Sequence, residues 1–104
     1  MEAVPRIVES LAPFDDWLIN LKDGRGKGQI EARINKLRRG LRGEFDDVGE
    51  GILELILDTG PGYRIYCVDD GKNCLLLCGG IKRTQPADIL RAKKLWKEYN
   101  SEDE

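Results

Sequence analysis

At 104 residues, with 40% apolar content and a formal net charge of −2, the chain has the size and composition of one domain with a single modest core. No window approaches the ~18 consecutive apolar residues of a membrane-spanning helix, and Met1-Glu2-Ala3-Val4-Pro5 lacks the regions of a signal peptide, so a cytoplasmic protein without membrane association is expected. Cys67, Cys74 and Cys78 are odd in number and there is no histidine, which argues against a disulfide framework and a metal site; no cofactor is expected.

In chain order, residues 5–10 ("PRIVES") suggest a short first strand. Phe14, Trp17, Leu18 and Leu21 then fall on one helix face, with Asp15 and Asp16 in the first turn where the helix dipole favours acids. Residues 24–28 ("GRGKG") have no phosphate-loop spacing and are expected to be a turn that breaks this helix. Ile30, Ile34 and Leu37 recur at i, i+4, i+7 on a second helix ending near Gly40. Two amphipathic helices joined by a glycine-rich break predict a helical hairpin lying on an apolar surface.

Residues 51–58 supply that surface, with Leu53, Leu55 and Leu57 on one side and Ile52, Glu54 and Ile56 on the other. Residues 63–69 and 73–80 read as two more strands, and Asp70-Gly71 between them is a hairpin signal needing positive φ. If those two residues form the turn, Asp69 faces Lys72, Cys67 faces Cys74 and Arg64 faces Leu77. Residues 86–99 carry Ile89, Ala92, Leu95, Trp96 and Tyr99 as a third helix opened by Pro86, and residues 99–104 form a frayed acidic tail.

The expected fold is α+β: one domain over residues 1–104, with an N-terminal helical hairpin on one face of a small antiparallel sheet and a C-terminal helix. The opposite face is expected to be partly open and to present Glu54, Ile56, Arg64 and Tyr66. Trp17, Trp96 and Tyr63 read as core.

Charge is arranged in blocks. Lys22, Arg25, Lys27, Arg33, Lys36, Arg38, Arg39 and Arg42 stand against only Asp23 and Glu31. Glu44, Asp46, Asp47, Glu50, Glu54 and Asp58 follow without a single Lys or Arg, and Lys82, Arg83, Arg91, Lys93, Lys94 and Lys97 restore the positive sign. Each block serves equally as a solvated helix face or as a surface for a partner of opposite charge.

The segments "PFDDWLINLKD", "RINKLRRG", "VGEGILEL", "GPGYRIY", "LLLCGGIKRTQPADI" and a trailing "A..LW" occur in this order over residues 13–99. In this pattern the chain resembles RelE/ParE-superfamily toxins, in the HigB-like clade of addiction module killer proteins. The resemblance implies the toxin of a bacterial type II toxin–antitoxin system. Its implied partners are a cognate antitoxin, commonly with a helix-turn-helix, operator DNA reached through the antitoxin complex, and mRNA on the ribosome.

In the nuclease branch the implied activity is an mRNA endoribonuclease that inhibits translation without a metal, by 2′-hydroxyl attack on the neighbouring phosphate. That chemistry needs a proton acceptor, cations for the charge on phosphorus and a donor for the leaving 5′-oxygen. The matching segments assign phosphate stabilisation to Arg64, then to Lys82 and Arg83. Tyr66 is a candidate for base stacking or hydrogen bonding, and Glu54 for the base.

The chain departs from the clade at three positions, with Asp46 for the usual Lys, Ile56 for Arg and Ile81 for Asp. Loss of a cation at position 56 weakens phosphate contact, and the sequence pI of about 5.3 is low for an RNA-directed protein. Two further readings therefore stand beside the nuclease: a non-enzymatic inhibitor of DNA gyrase of the ParE type, and a catalytically decayed toxin that retains antitoxin binding.

Overall fold

A computed structural model describes residues 4–102, apart from the side chain of Glu102. The elements are β1 (Ile7–Ser10), α1 (Ala12–Ile19), α2 (Gly24–Arg38), β2 (Phe45–Asp47), β3 (Leu53–Leu57), β4 (Tyr63–Asp69), β5 (Asn73–Ile81), a 3-10 turn (Lys82–Thr84) and α3 (Gln85–Glu102). They build an α+β domain around one five-stranded sheet ordered β1-β5-β4-β3-β2. β2 to β5 are antiparallel neighbours, and β1 runs parallel to β5. The expected antiparallel sheet is thus a mixed one, and β2 is a strand that the sequence reading lacked.

The hairpin of α1 and α2 covers one face, as its apolar periodicity implies. Phe14, Ile30, Ile34 and Leu37 pack there on Leu55, Leu57, Tyr63, Ile65, Cys67 and Leu76. The Gly-rich segment 24–28 is the first turn of α2, not a loop. Asp23 caps that helix, its carboxylate accepting from the Gly26 amide at 3.1 Å. Gly26 lies against the Tyr63 ring, and a Cβ there would collide with both the ring and the Asp23 carboxylate. Close approach of helix to sheet, rather than a chain reversal, explains that glycine.

The other face is covered as well, which corrects the expectation of a partly open surface. α3 packs across it, with Ala92, Ile89, Leu95 and Trp96 against Ile52, Tyr66, Leu77 and Cys78. The apolar stripe on residues 86–99 needs an apolar surface of its own, which the second face of β3, β4 and β5 supplies. Asn100 and Ser101 continue α3 instead of fraying, while Asp103 and Glu104 lie outside the described residues.

The β4–β5 register also differs from the expected one. Asp70 and Asn73 close the turn, and the Asp70 carboxylate accepts from the amides of Lys72 and Asn73 at 2.8 and 2.7 Å. Those side-chain bonds hold Gly71 (φ +91°) and Lys72 at the tip, so Asp69 faces Cys74 rather than Lys72. A bulge beyond Tyr66 adds one more residue on β5, and Arg64 comes to face Gly80 instead of Leu77. Cys67 faces Leu76 and keeps only a diagonal relation to Cys74; both are free thiols. Hydrogen bonding to Cys74 and burial hold the Cys67 thiol well above its ordinary pKa.

Polar clasps fix the edges. Arg33 of α2 donates to the carbonyls of Arg42, Glu44 and Ile56, joining the helix to the β2 approach and to β3. Asp69, enclosed at the end of β4, accepts from Arg6 at 2.7 Å and Arg42 at 3.3 Å. Among the described residues no helix is long and apolar enough to cross a membrane.

Candidate functional site

Three antiparallel rungs place the sequence-derived candidates. Glu54 of β3 faces Tyr66 of β4, and Ile56 faces Arg64, which in turn faces Gly80 of β5. Alternation puts Glu54, Ile56, Arg64 and Tyr66 together on the face away from the α1–α2 hairpin, as the sequence reading expects, but that face lies under α3.

The five candidates separate into two groups and one outlier. Glu54 and Tyr66, 1% and 0% exposed, are joined by a 2.9 Å bond from the Tyr66 hydroxyl to Glu54 Oε2. Gln85, at the start of α3, donates its amide to both carboxylate oxygens at 3.0 and 2.8 Å. Burial first, and then the bond to Glu54, push the Tyr66 phenol far above its ordinary pKa, so it stays protonated. The carboxylate is thus satisfied by neutral donors under a helix and is closed to solvent.

Arg64 and Lys82 form the second group. Arg64 is 6% exposed, and its Nε and Nη1 have no hydrogen-bond partner. No carboxylate of the described residues reaches it within ion-pair distance. Gly62 (φ +78°) makes room for the guanidinium, since a Cβ on it would lie 2.7 Å from Arg64 Nη1 and 3.2 Å from Lys82 Cβ. The Lys82 amide donates to the Gly62 carbonyl at 2.8 Å, fixing this corner of the sheet. "GPG" before β4 therefore does two things: it turns the chain, and it leaves a gap that an arginine fills. Lys82 is exposed above this gap.

Arg83 is the outlier, exposed on the 3-10 turn and not drawn into either group. Of the three departures, Asp46 is exposed and faces Glu54, Ile56 is buried beside Arg64, and Ile81 packs on the opposite face with the α1–α2 core.

Residue-type reasoning missed Gln85 and Asp88, although both stand in the "GGIKRTQPADI" segment. Asp88 accepts from Thr84 Oγ1 and lies over Gly80, where a Cβ would strike its carboxylate. Gly79 meets the Trp17 ring on the other face in the same way. Adjacent glycines on β5 thus let a helical layer close in from each side.

Chemically, the Arg64 corner suits an oxyanion. Two nitrogens of its guanidinium lack acceptors of the kind a phosphate or carboxylate oxygen supplies, and both are closed to solvent here. No protein-family model matches the chain, and no solved structure matches it. A protein of Haemophilus influenzae, described as an uncharacterized protein, is 45% identical over 92 residues, covering 88% of this chain and 93% of that protein. On that likeness the chain belongs to the same family as the Haemophilus influenzae protein.

Proposed function

We propose that the chain is the toxin of a bacterial type II toxin–antitoxin module, a RelE/ParE-superfamily protein of the HigB-like clade. It acts in the cytoplasm as a metal-independent, ribosome-dependent mRNA endoribonuclease and is silenced by a cognate antitoxin that also carries it to operator DNA. The observation that carries this reading is the enclosed Arg64 guanidinium with two unpartnered nitrogens at a corner shared with Lys82. Both nitrogens are shut from solvent, so a phosphodiester supplies their missing acceptors only when the corner over them opens. In the reaction the 2′-hydroxyl gives its proton to water and bonds to phosphorus, the bond to the 5′-oxygen breaks, and that oxygen takes a proton from water, leaving a cyclic phosphate and a 5′-hydroxyl. Arg64 stabilises the extra negative charge on phosphorus, while Lys82 and Arg83 hold neighbouring phosphates.

A specific observation favours the second reading, a toxin that binds without cutting, either as a ParE-type gyrase inhibitor or as a decayed member. Glu54 and Tyr66 are covered by α3 and committed to each other and to Gln85, so neither reaches a substrate unless the first turn of α3 moves. Induced expression in bacteria separates the readings. Rapid loss of intact mRNA with growth arrest supports the nuclease, DNA breaks with filamentation support gyrase inhibition, and unhindered growth supports decay. Arg64→Ala abolishes the mRNA loss under the first reading; undiminished cleavage by that variant removes Arg64 from the site.

A further inference from the structure

β1 ends the sheet, paired only with β5. The Ile7 and Leu11 amides donate to the Lys72 and Leu76 carbonyls at 2.9 Å each. In a parallel pair the bonding residues alternate, so the N–H and C=O groups of Val8 and Ser10 point away from the sheet. No described segment pairs with Val8 or Ser10, while the Arg6 amide just before this short strand donates to the Arg38 carbonyl at 3.0 Å.

Each side of this free edge has a groove. Towards the hairpin, a cleft of about 320 Å³ is lined by Val8, Ser10, Phe14, Leu18 and Ile34, with Asp15 and Glu31 at its rim. Towards α3, a cleft of about 230 Å³ is lined by Ile7, Leu75, Trp96 and Tyr99, with Glu9 and Asp70 at its rim. α3 stops short of β1, which leaves Ile7 65% exposed. Trp96 and Tyr99 stack at 5.7 Å between centroids. Four acids line the two grooves against one base, Arg38.

We propose that the β1 edge is a docking site for an extended segment of a partner protein in which apolar residues alternate with Lys or Arg. The segment adds a sixth strand by bonding to the outward groups of Val8 and Ser10. Its apolar side chains enter the Phe14–Leu18–Ile34 groove, and its basic ones lie over Trp96 and Tyr99 between Glu9 and Asp70. The charge of the rims selects a basic occupant, and the inference does not depend on the toxin reading.

The probe is a blocked synthetic hexapeptide of alternating Lys and Val, with a Glu/Val peptide as control, titrated into 15N-labelled protein. Saturable shifts centred on the Val8 and Ser10 amides and the Trp96 indole are expected, with affinity at least about tenfold weaker for the Glu peptide. Ser10→Pro removes one outward donor at an edge where proline is tolerated, along with the Ser10 Oγ bond to Asp15 at 2.6 Å, and is expected to abolish binding while the cooperative melt is retained. Should that variant not fold, the surface reversals Glu9→Lys and Glu31→Lys test the charge argument alone and are expected to weaken binding. Shifts confined to another surface, equal binding of both peptides, no binding at millimolar peptide, or full binding by the folded variants overturns the proposal.

Discussion

Arg64 is held where a positive charge has lost most of its water and gained no carboxylate. Such a group opposes folding unless an anion joins it, so its replacement separates stability from function. Arg64→Met is expected to melt at or above the wild-type temperature in an anion-poor buffer, and to lose the stabilisation that added phosphate gives the wild type; thermal melts with and without phosphate read both. Ile56→Arg sets a second arginine directly opposite the first, with Cβ atoms about 5 Å apart across the rung. It is expected to lower the melting temperature without phosphate and, under the nuclease reading, to raise cleavage. At the far side of the sheet, Asp23 accepts from the Tyr63 hydroxyl at 2.7 Å and from the Gly26 amide. These bonds, the Tyr63 one foremost, hold its carboxyl below the usual aspartate range. A depressed carboxyl adds stability that is present above the ordinary aspartate pKa near 4 and lost as pH falls through the folded value. Tyr63→Phe is therefore expected to flatten the acid limb of the stability curve below about pH 4, measured by denaturant melts across pH.

At the scale of elements, α2 begins with three glycines that look alike in sequence and differ in place. Nothing lies within 4 Å of a Cβ at Gly24 or Gly28, whereas Gly26 touches Tyr63. Gly28→Ala is expected to stabilise by about 0.5–1 kcal/mol through helix propensity. Gly26→Ala is expected to destabilise by about 1–3 kcal/mol despite the same propensity gain, because the ring and the cap must move. Opposite signs in paired denaturant melts check the placement. The same segment shows where sequence was legible and where it was not. Periodicity located α1, the body of α2, β3, β4, β5 and α3, and the alternation of Leu53, Leu55 and Leu57 assigned the faces of β3 correctly. β2 escaped because Phe45–Asp47 is an exposed three-residue strand held by pairing to Leu53–Leu55, with no apolar rhythm of its own. The β4–β5 register escaped because the Asp70 side chain, not the Asp-Gly pair, sets the turn.

For the whole molecule, the decisive surprise is the third layer. Residue spacing put Glu54, Ile56, Arg64 and Tyr66 on one face, and the structure agrees; what spacing did not tell is that α3 returns over it. Composition and period describe each element's own apolar stripe, whereas which face a helix finds depends on its connection, here the short 3-10 turn after β5. Removal of residues 85–104 is expected to expose Tyr66, Leu77 and the Glu54 carboxylate together, and to give a chain that binds hydrophobic dye and lacks a cooperative melt. A cooperative melt in that truncation would show the two faces to be independent.

The parallel pairing of Ile7 with Asn73 has a temporal meaning. Synthesis proceeds from one end, and β1 emerges well before β5, the strand it needs. Until that strand emerges, the first strand has no neighbour, the hairpin lacks part of its floor, and closure of so long a loop opposes early assembly. The sheet therefore closes only after Asn73–Ile81 has emerged, and a product cut before it lacks the strand that β1 pairs with.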